Sequence, residues 1–161
     1  MNVILCGMMG CGKSTVGKAL AETLGARHCD TDALITQTYG EIPAIFLRDG
    51  EARFRELETE TVRGLLGQDG LVISTGGGLV LKQENVDLLR KNGKIVYLRA
   101  KEETLKTRLV GDENRPLLKE EGAIERLIKS RAPIYESVAD CVVDVDEKTP
   151  KAIAMEIVAL I

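Results

Sequence analysis

The chain has no tryptophan, two phenylalanines and three tyrosines, so it offers little on which nucleic-acid bases could stack. Basic charge is not in excess either. Lys and Arg number 22 against 25 Asp and Glu, and the net charge of −3 argues against a protein held to nucleic acid through its phosphates. There is one histidine, and the four cysteines are Cys6, Cys11, Cys29 and Cys141. No two are spaced Cys-x-x-Cys and none stands with histidine at zinc-binding spacing, which excludes a zinc module and a dithiol redox pair. Three of them fall in strand-like runs and fit small buried hydrophobes in a reducing, cytoplasmic setting. No apolar run approaches the ~20 residues that a bilayer span needs. No basic segment precedes an apolar one at the N-terminus, so no signal peptide is expected. Linkers, internal repeats and low-complexity tracts are missing as well. What remains is 161 residues of ordinary apolar content, expected to form one domain over 1–161. That length suffices to bury roughly two-thirds of the unfolded surface without a staple. No large apolar surface stripe stands out, and a monomer is expected.

The most informative stretch present is Gly7-Met8-Met9-Gly10-Cys11-Gly12-Lys13-Ser14. It fits the phosphate-binding pattern of Gly, four residues, Gly, Lys, then Ser or Thr. Glycines allow a tight turn that points several N–H groups inward, a nest for phosphate oxygens. A following helix aims its positive end at the same anion. Lys13 can reach the β- and γ-phosphates, and the Ser14 hydroxyl can ligate Mg²⁺. The flanks agree: Asn2–Cys6 reads as a buried strand, and Val16, Ala19, Leu20, Thr23 and Leu24 recur at helical spacing. By chance the pattern arises in fewer than about one in a hundred chains of this length. A Mg²⁺–nucleoside triphosphate is therefore the expected ligand. Cys11 sits within the nest beside Lys13 and a helix N-terminus, which favours a thiolate whose alkylation bound nucleotide would slow.

Strand-like runs at Asn2–Cys6, 27–30, 71–74, 94–98 and 141–145 alternate with helical ones, the last about 149–160. Such alternation implies a parallel sheet with helices on both faces and a ligand site beyond the carboxyl ends of its strands. Polar oddities fall just there. Asp30-Thr31-Asp32 ends the second strand. One carboxylate can hold the water shell of Mg²⁺ while the other accepts a proton from a hydroxyl; equally, Thr31 or Asp32 can cap the helix that begins at Ala33. Between Pro43 and Gly67, Phe54, Leu57, Thr61 and Leu65 make an apolar stripe. Arg55 beside it stands four residues after Glu51, the spacing of an exposed helix ion pair. The third strand ends in Ser74-Thr75-Gly76-Gly77-Gly78, which permits close approach of a ligand to backbone. It lacks the Mg²⁺-directing Asp of many P-loop ATPases, which shifts weight onto Asp30 and Asp32. The polar, turn-prone run from Val110 to Pro116 reads as an ordinary loop, or as a mobile lid bringing Arg115 to the transferring phosphoryl group. Arg131 lies within a helical apolar stripe of Ile124, Leu127, Ile128, Tyr135 and Val138, where a guanidinium needs a partner. A carboxylate on the acceptor would suit it, because Arg matches one in a bidentate fork. Pro133 is expected to bend or break that helix.

In order and spacing the whole set resembles the shikimate kinase family: the phosphate loop, Asp30-Thr31-Asp32, Phe54-Arg55, Gly76-Gly77-Gly78, Arg115-Pro116 and Arg131-Ala132-Pro133-Ile134-Tyr135. The resemblance covers nearly the whole chain. It implies a nucleoside-monophosphate-kinase-like P-loop fold with a five-stranded parallel sheet, a substrate-binding region over about 31–60 and a lid over about 110–119. The reaction implied is ATP-dependent phosphorylation of the 3-hydroxyl of shikimate in aromatic amino-acid biosynthesis. Asp32, Arg55, Gly77 and Arg131 would hold shikimate, the two arginines taking its carboxylate and Asp32 serving as base. Gly10, Cys11, Gly12, Lys13, Ser14 and Thr15 would line ATP, with Arg108 against adenine and Arg115 with Lys13 on the phosphoryl group. Ser14 would ligate Mg²⁺, and Asp30 would support it through water. His28-Cys29 departs from the more apolar or aromatic family pattern, and 147–150 matches the adenine edge too loosely to carry residues over. Competing readings are a kinase of another hydroxylated acid such as gluconate, an adenylate-type kinase, and a nucleotide-dependent switch. The last lacks the Asn-Lys-x-Asp guanine motif.

Overall fold

The computed structural model describes residues 1–109 and 122–161. The expected lid over about 110–119 and Arg115 lie outside the described residues. Five strands, β1 (Asn2–Cys6), β2 (Arg27–Asp30), β3 (Leu71–Ser74), β4 (Gly93–Arg99) and β5 (Cys141–Asp144), form one parallel sheet in the order β2-β3-β1-β4-β5. Central β1 pairs Val3 with Val72 of β3 and with Lys94 of β4, and all five of its residues are buried. This is why Val3 to Cys6 is a continuous apolar run rather than an alternating one, while the side chain of buried Asn2 is satisfied by Leu71 N and the Gln68 carbonyl. Edge strands β2 and β5 are less covered, and their cysteines, Cys29 and Cys141, are only half-buried, unlike Cys6.

The described helices are α1 (Lys13–Leu24), α2 (Thr31–Tyr39), α3 (Ile42–Leu65), α4 (Gln83–Arg90), α5 (Glu102–Leu109), α6 (Ala123–Val138) and α7 (Pro150–Leu160), with a 3₁₀ turn at Leu79–Leu81. The chain leaves β1 toward β2 through α1 and leaves β3 toward β4 through α4, in opposite directions along the sheet. Right-handed crossovers then put α1 and α4 on opposite faces. α7 packs on α1, while α4 and α6 pack against β4. The point where the order reverses, between β3 and β1, opens a crevice at the carboxyl ends of these strands.

Local chemistry sets the boundaries near that crevice. α2 is capped by Asp30, whose Oδ1 accepts from Ala33 N at 3.1 Å, not by Thr31 or Asp32 as the sequence suggested. Thr31 is engaged elsewhere, its Oγ1 accepting from Gly76 N at 2.9 Å. α7 starts at Thr149, whose hydroxyl accepts from Ala152 N, with Pro150 in the first turn, where its missing N–H costs nothing. α3 carries a non-helical residue at Gly50. Ile35, Ile45, Phe54 and Leu57 make a small second core that joins α2 to α3, apart from the main core around the sheet. Pro133 does not break α6, which runs through it to Val138.

Candidate active site

The crevice is a cleft of about 680 Å³ that reaches from the phosphate loop past Asp30 and Asp32 to Thr75, Gly76 and Gly77. Its floor is the turn between β1 and α1. Gly10 (φ 87°) and Gly12 (φ 95°) hold left-handed backbone that side-chain-bearing residues rarely adopt, so the nest depends on them. Lys13 is buried and folds back over the loop, donating from Nζ to the carbonyls of Gly7 (2.7 Å) and Met8 (3.2 Å). A cation held among carbonyls at the mouth of a nest is in place for a phosphate to take over. Ser14 donates to Asp30 Oδ2, which joins the end of β2 to the start of α1. Thr15 is exposed and lines the cleft. Arg108, near the end of α5, donates to the Gly10 carbonyl at 2.8 Å and so lies against the loop itself.

Cys11 is among the lining residues, but it is only 2% exposed and its Sγ lies 3.9 Å from Lys13 Nζ. The expected reactive thiol is thus covered by the protein before any nucleotide arrives. Ser74, where many P-loop ATPases carry an Asp, is also occupied: its Oγ donates to the Lys13 carbonyl at 2.7 Å. The hydroxyl proton being spent there, His28 Nε2, 2.9 Å away, must be the donor in that contact, which fixes the tautomer. Burial lowers the His28 pKa, so the ring is neutral at pH 7.

Asp32, Arg55, Gly77 and Arg131, scattered over a hundred positions, converge at the other end. Arg131 is 4% exposed, as its place in the apolar stripe required, and its Nη1 has no hydrogen-bond partner among the described residues. It lies beside Gly77: a Cβ there would come 3.2 Å from Nη1. Tyr135, one turn further along α6, donates to the Gly77 carbonyl at 2.6 Å and pins the loop. Arg55 presses against Gly78, where a Cβ would overlap its guanidinium. It makes the ion pair with Glu51 that the spacing predicted (3.2 Å) and a shorter one with Glu58 (2.7 Å). Asp32 flanks Gly76, its Oδ1 2.5 Å from where a Cβ would stand. Each glycine of the triplet therefore leaves room for a charged side chain.

Glu58 was not singled out from the sequence. It is 1% exposed, and its Oε2 has no hydrogen-bond partner among the described residues. Burial pushes its carboxyl up to about 7 despite the opposing pull of Arg55. The signal was present: Glu58 stands four residues after Phe54 and four before Val62, on the buried face of α3. Lys148 and Pro150, from the segment that the sequence put loosely at the adenine edge, line the cleft, as do Val145 and Ile153, which sequence reasoning missed.

A profile of the shikimate kinase family matches residues 9–161. A shikimate kinase from Sulfurihydrogenibium is 43% identical, covering 99% of this chain and 97% of that protein. The chain belongs to the shikimate kinase family. A second shikimate kinase, from Geobacter sulfurreducens, is 46% identical over 99% of this chain and 90% of its own. The shikimate kinase of Acinetobacter baumannii, solved in complex with shikimate, superposes with a TM-score of 0.94 at 37% identity, covering 99% of this chain and 91% of that one. A gluconokinase from Sinorhizobium meliloti shares the fold alone, with a TM-score of 0.62 and 20% identity. The shikimate kinase fold is thus the nucleoside-monophosphate-kinase-like P-loop fold expected from the sequence.

Proposed function

We propose that the protein transfers the γ-phosphoryl group of ATP to the 3-hydroxyl of shikimate, giving shikimate 3-phosphate and ADP, in aromatic amino-acid biosynthesis. The observation that carries this reading is the pair of arginines, Arg55 and Arg131, held against one glycine loop at the acceptor end of a cleft whose other end is a phosphate nest. Arg131 is buried with an unsatisfied donor, an arrangement that costs stability unless a ligand completes it. A planar carboxylate does so in a bidentate fork. Asp32, which lines the cleft beside the same glycine loop, orients the acceptor hydroxyl and takes its proton in this reading.

The protein has little covalent work to do in such a transfer, so its residues position groups and balance charge. The nest N–H groups and Lys13 hold the phosphates, with Lys13 exchanging its two carbonyl contacts for phosphate oxygens. Arg108 braces the loop and stands ready at its edge, and Arg115 takes its role on the phosphoryl group from the resemblance alone. A hydroxyl and a carboxylate meeting at the nest, Ser14 and Asp30, are hard oxygen donors of the kind Mg²⁺ takes. Ser14 would hold the ion directly and Asp30 through water, and the ion when bound neutralises charge on the triphosphate. Among the described residues no helix is long and apolar enough to cross a membrane. We read the chain as a single catalytic domain, monomeric and cytoplasmic, with ATP and shikimate as its partners.

The test is ADP release by the purified protein with ATP and Mg²⁺, with shikimate, gluconate, AMP or no acceptor. Stimulation by shikimate alone is expected. Stimulation by another acceptor would keep the kinase and remove shikimate. Slow hydrolysis indifferent to every acceptor would point instead to a nucleotide switch.

A further inference from the structure

Glu58 makes one ion pair, through Oε1 to Arg55, and its Oε2 faces the interior unpartnered among the described residues. The charged groups acting on it are Arg55 on α3 itself, Asp32 on α2 and Arg131 on α6; Glu51 shares the Arg55 guanidinium, and Lys82, just before α4, donates to the neighbouring Thr59 instead. The loop at Gly76 brings only backbone, close to both Glu58 Oε2 and Asp32 Oδ1. With Glu58 ionised, Asp32 and Glu58 balance the two guanidiniums, while Glu51, paired with Arg55 Nη2, is half-exposed and screened by water. An acceptor carboxylate adds a third negative charge to two positive ones. Asp32 lines the cleft and keeps some access to water, whereas Glu58 is enclosed. The uncompensated charge is therefore costliest on Glu58. A proton there restores the balance and gives the orphaned oxygen an O–H to donate.

Resting on the reading of the cleft as a site for a hydroxylated carboxylic acid, we propose that acceptor binding draws one proton from solvent onto Glu58, so that anion and proton enter the site together. The proton adds to Oε2, and no bond of the acceptor changes. Since the empty site already holds the Glu58 carboxyl near neutrality, the coupling operates at physiological pH. By linkage, the acceptor binds more weakly as pH rises through and above this range, by about tenfold per pH unit at the steepest. The one histidine, His28, is engaged with Ser74 and already neutral there, so it contributes no competing titration.

Calorimetric titration of the protein with shikimate tests this, at about pH 7.5 in two buffers of widely different ionisation enthalpy, such as PIPES and Tris. The expected result is a buffer-dependent heat equivalent to uptake of about half a proton or more per acceptor. Shikimate Kd should rise about five- to tenfold from pH ~6 to pH ~8. In Glu58→Gln both effects should vanish, with Kd flat to within about twofold. Equal heats in the two buffers with the wild type would overturn the proposal, and so would proton uptake that persists in the variant. The wild-type comparison decides the proton count by itself should the variant fail to fold. Shikimate that binds without proton uptake removes the proposal and leaves the reading of the cleft intact. Shikimate that does not bind at all removes both.

Discussion

In the proposed reading, Arg131 and Arg55 differ in how much each depends on the acceptor. Arg55 has two carboxylates to hold in the empty site, whereas Arg131 has a buried donor with nothing to give to among the described residues. Replacing Arg131 by Ala removes one charge-assisted interaction of ~1.5–3 kcal/mol, so shikimate KM should rise about tenfold to a few hundredfold while ATP KM stays near its starting value. Steady-state kinetics with each substrate varied checks this, and an unchanged shikimate KM in a folded variant would remove Arg131 from the site. The role proposed for Lys13 lies at the other end. Lys13→Met should lower kcat by about 10²–10³-fold, the scale of losing one preorganised donor to developing charge. A variant turning over at a near-normal rate would take the phosphate loop out of the chemistry. Gly78→Ala separates placement from stability. Its backbone is ordinary helical (φ −94°, ψ −4°), so the methyl strains nothing locally, yet it occupies the space of the Arg55 guanidinium. The end of Arg55 is flexible and can swing aside, but the displaced Nη1 then gives up Glu58. The expected outcome is a shikimate KM raised several-fold with a modest fall in Tm, whereas an unchanged KM would show that Arg55 reaches the acceptor from its displaced position.

At the level of elements, α1 reaches the sheet through Gly17. A Cβ there would overlap Ser74 Oγ and stand 2.6 Å from His28 Nε2, atoms of β3 and β2. Gly17→Ala gains helix propensity but forces α1 outward, a net loss of about 1–3 kcal/mol by overpacking. A urea melt should register it, and His28→Ala in the same chain should recover part of the loss. Recovery of none would place the strain at Ser74 instead. This contact also marks where sequence reasoning stops. The strands were readable because a buried parallel strand is an unbroken apolar run bounded by glycine or polar turns. β1, β2 and β3 fall where expected, and β4 and β5 differ by one residue at their ends. The strand, glycine turn and helix of the phosphate loop were readable because the pattern is local in sequence. Arg131 was readable because a charge within an apolar stripe breaks a pattern. Glu58 breaks the same kind of pattern on α3, but Thr61 was counted in that stripe in place of buried Val62, which hid its phase. Nor does local sequence decide which of Asp30, Thr31 and Asp32 caps α2. The choice is tertiary, since Gly76 occupies Thr31 and Ser14 orients Asp30.

Over the whole molecule, the buried surroundings of Glu58 store a cost that varies with pH. The Glu58 carboxyl titrates near 7 when folded, above the ordinary carboxylate range it regains on unfolding. Between those two values the folded chain holds a proton that the unfolded chain has released, so stability falls as pH rises through this window. Urea midpoints should decline from pH ~5 to pH ~8 in the wild type and decline less in Glu58→Gln. Parallel declines would assign the effect to other groups. The sheet order has a different kind of consequence, one that concerns synthesis. β1 is the middle strand, yet it emerges first, and its partners at Val72 and Lys94 follow much later in the chain. A nascent chain that has reached β3 but not β4 can cover only one edge of a strand that is apolar from Val3 to Cys6. The other edge stays open to any extended segment in its vicinity until β4 arrives. The strand that anchors the finished enzyme is thus the one that must be shielded longest while the enzyme is being made.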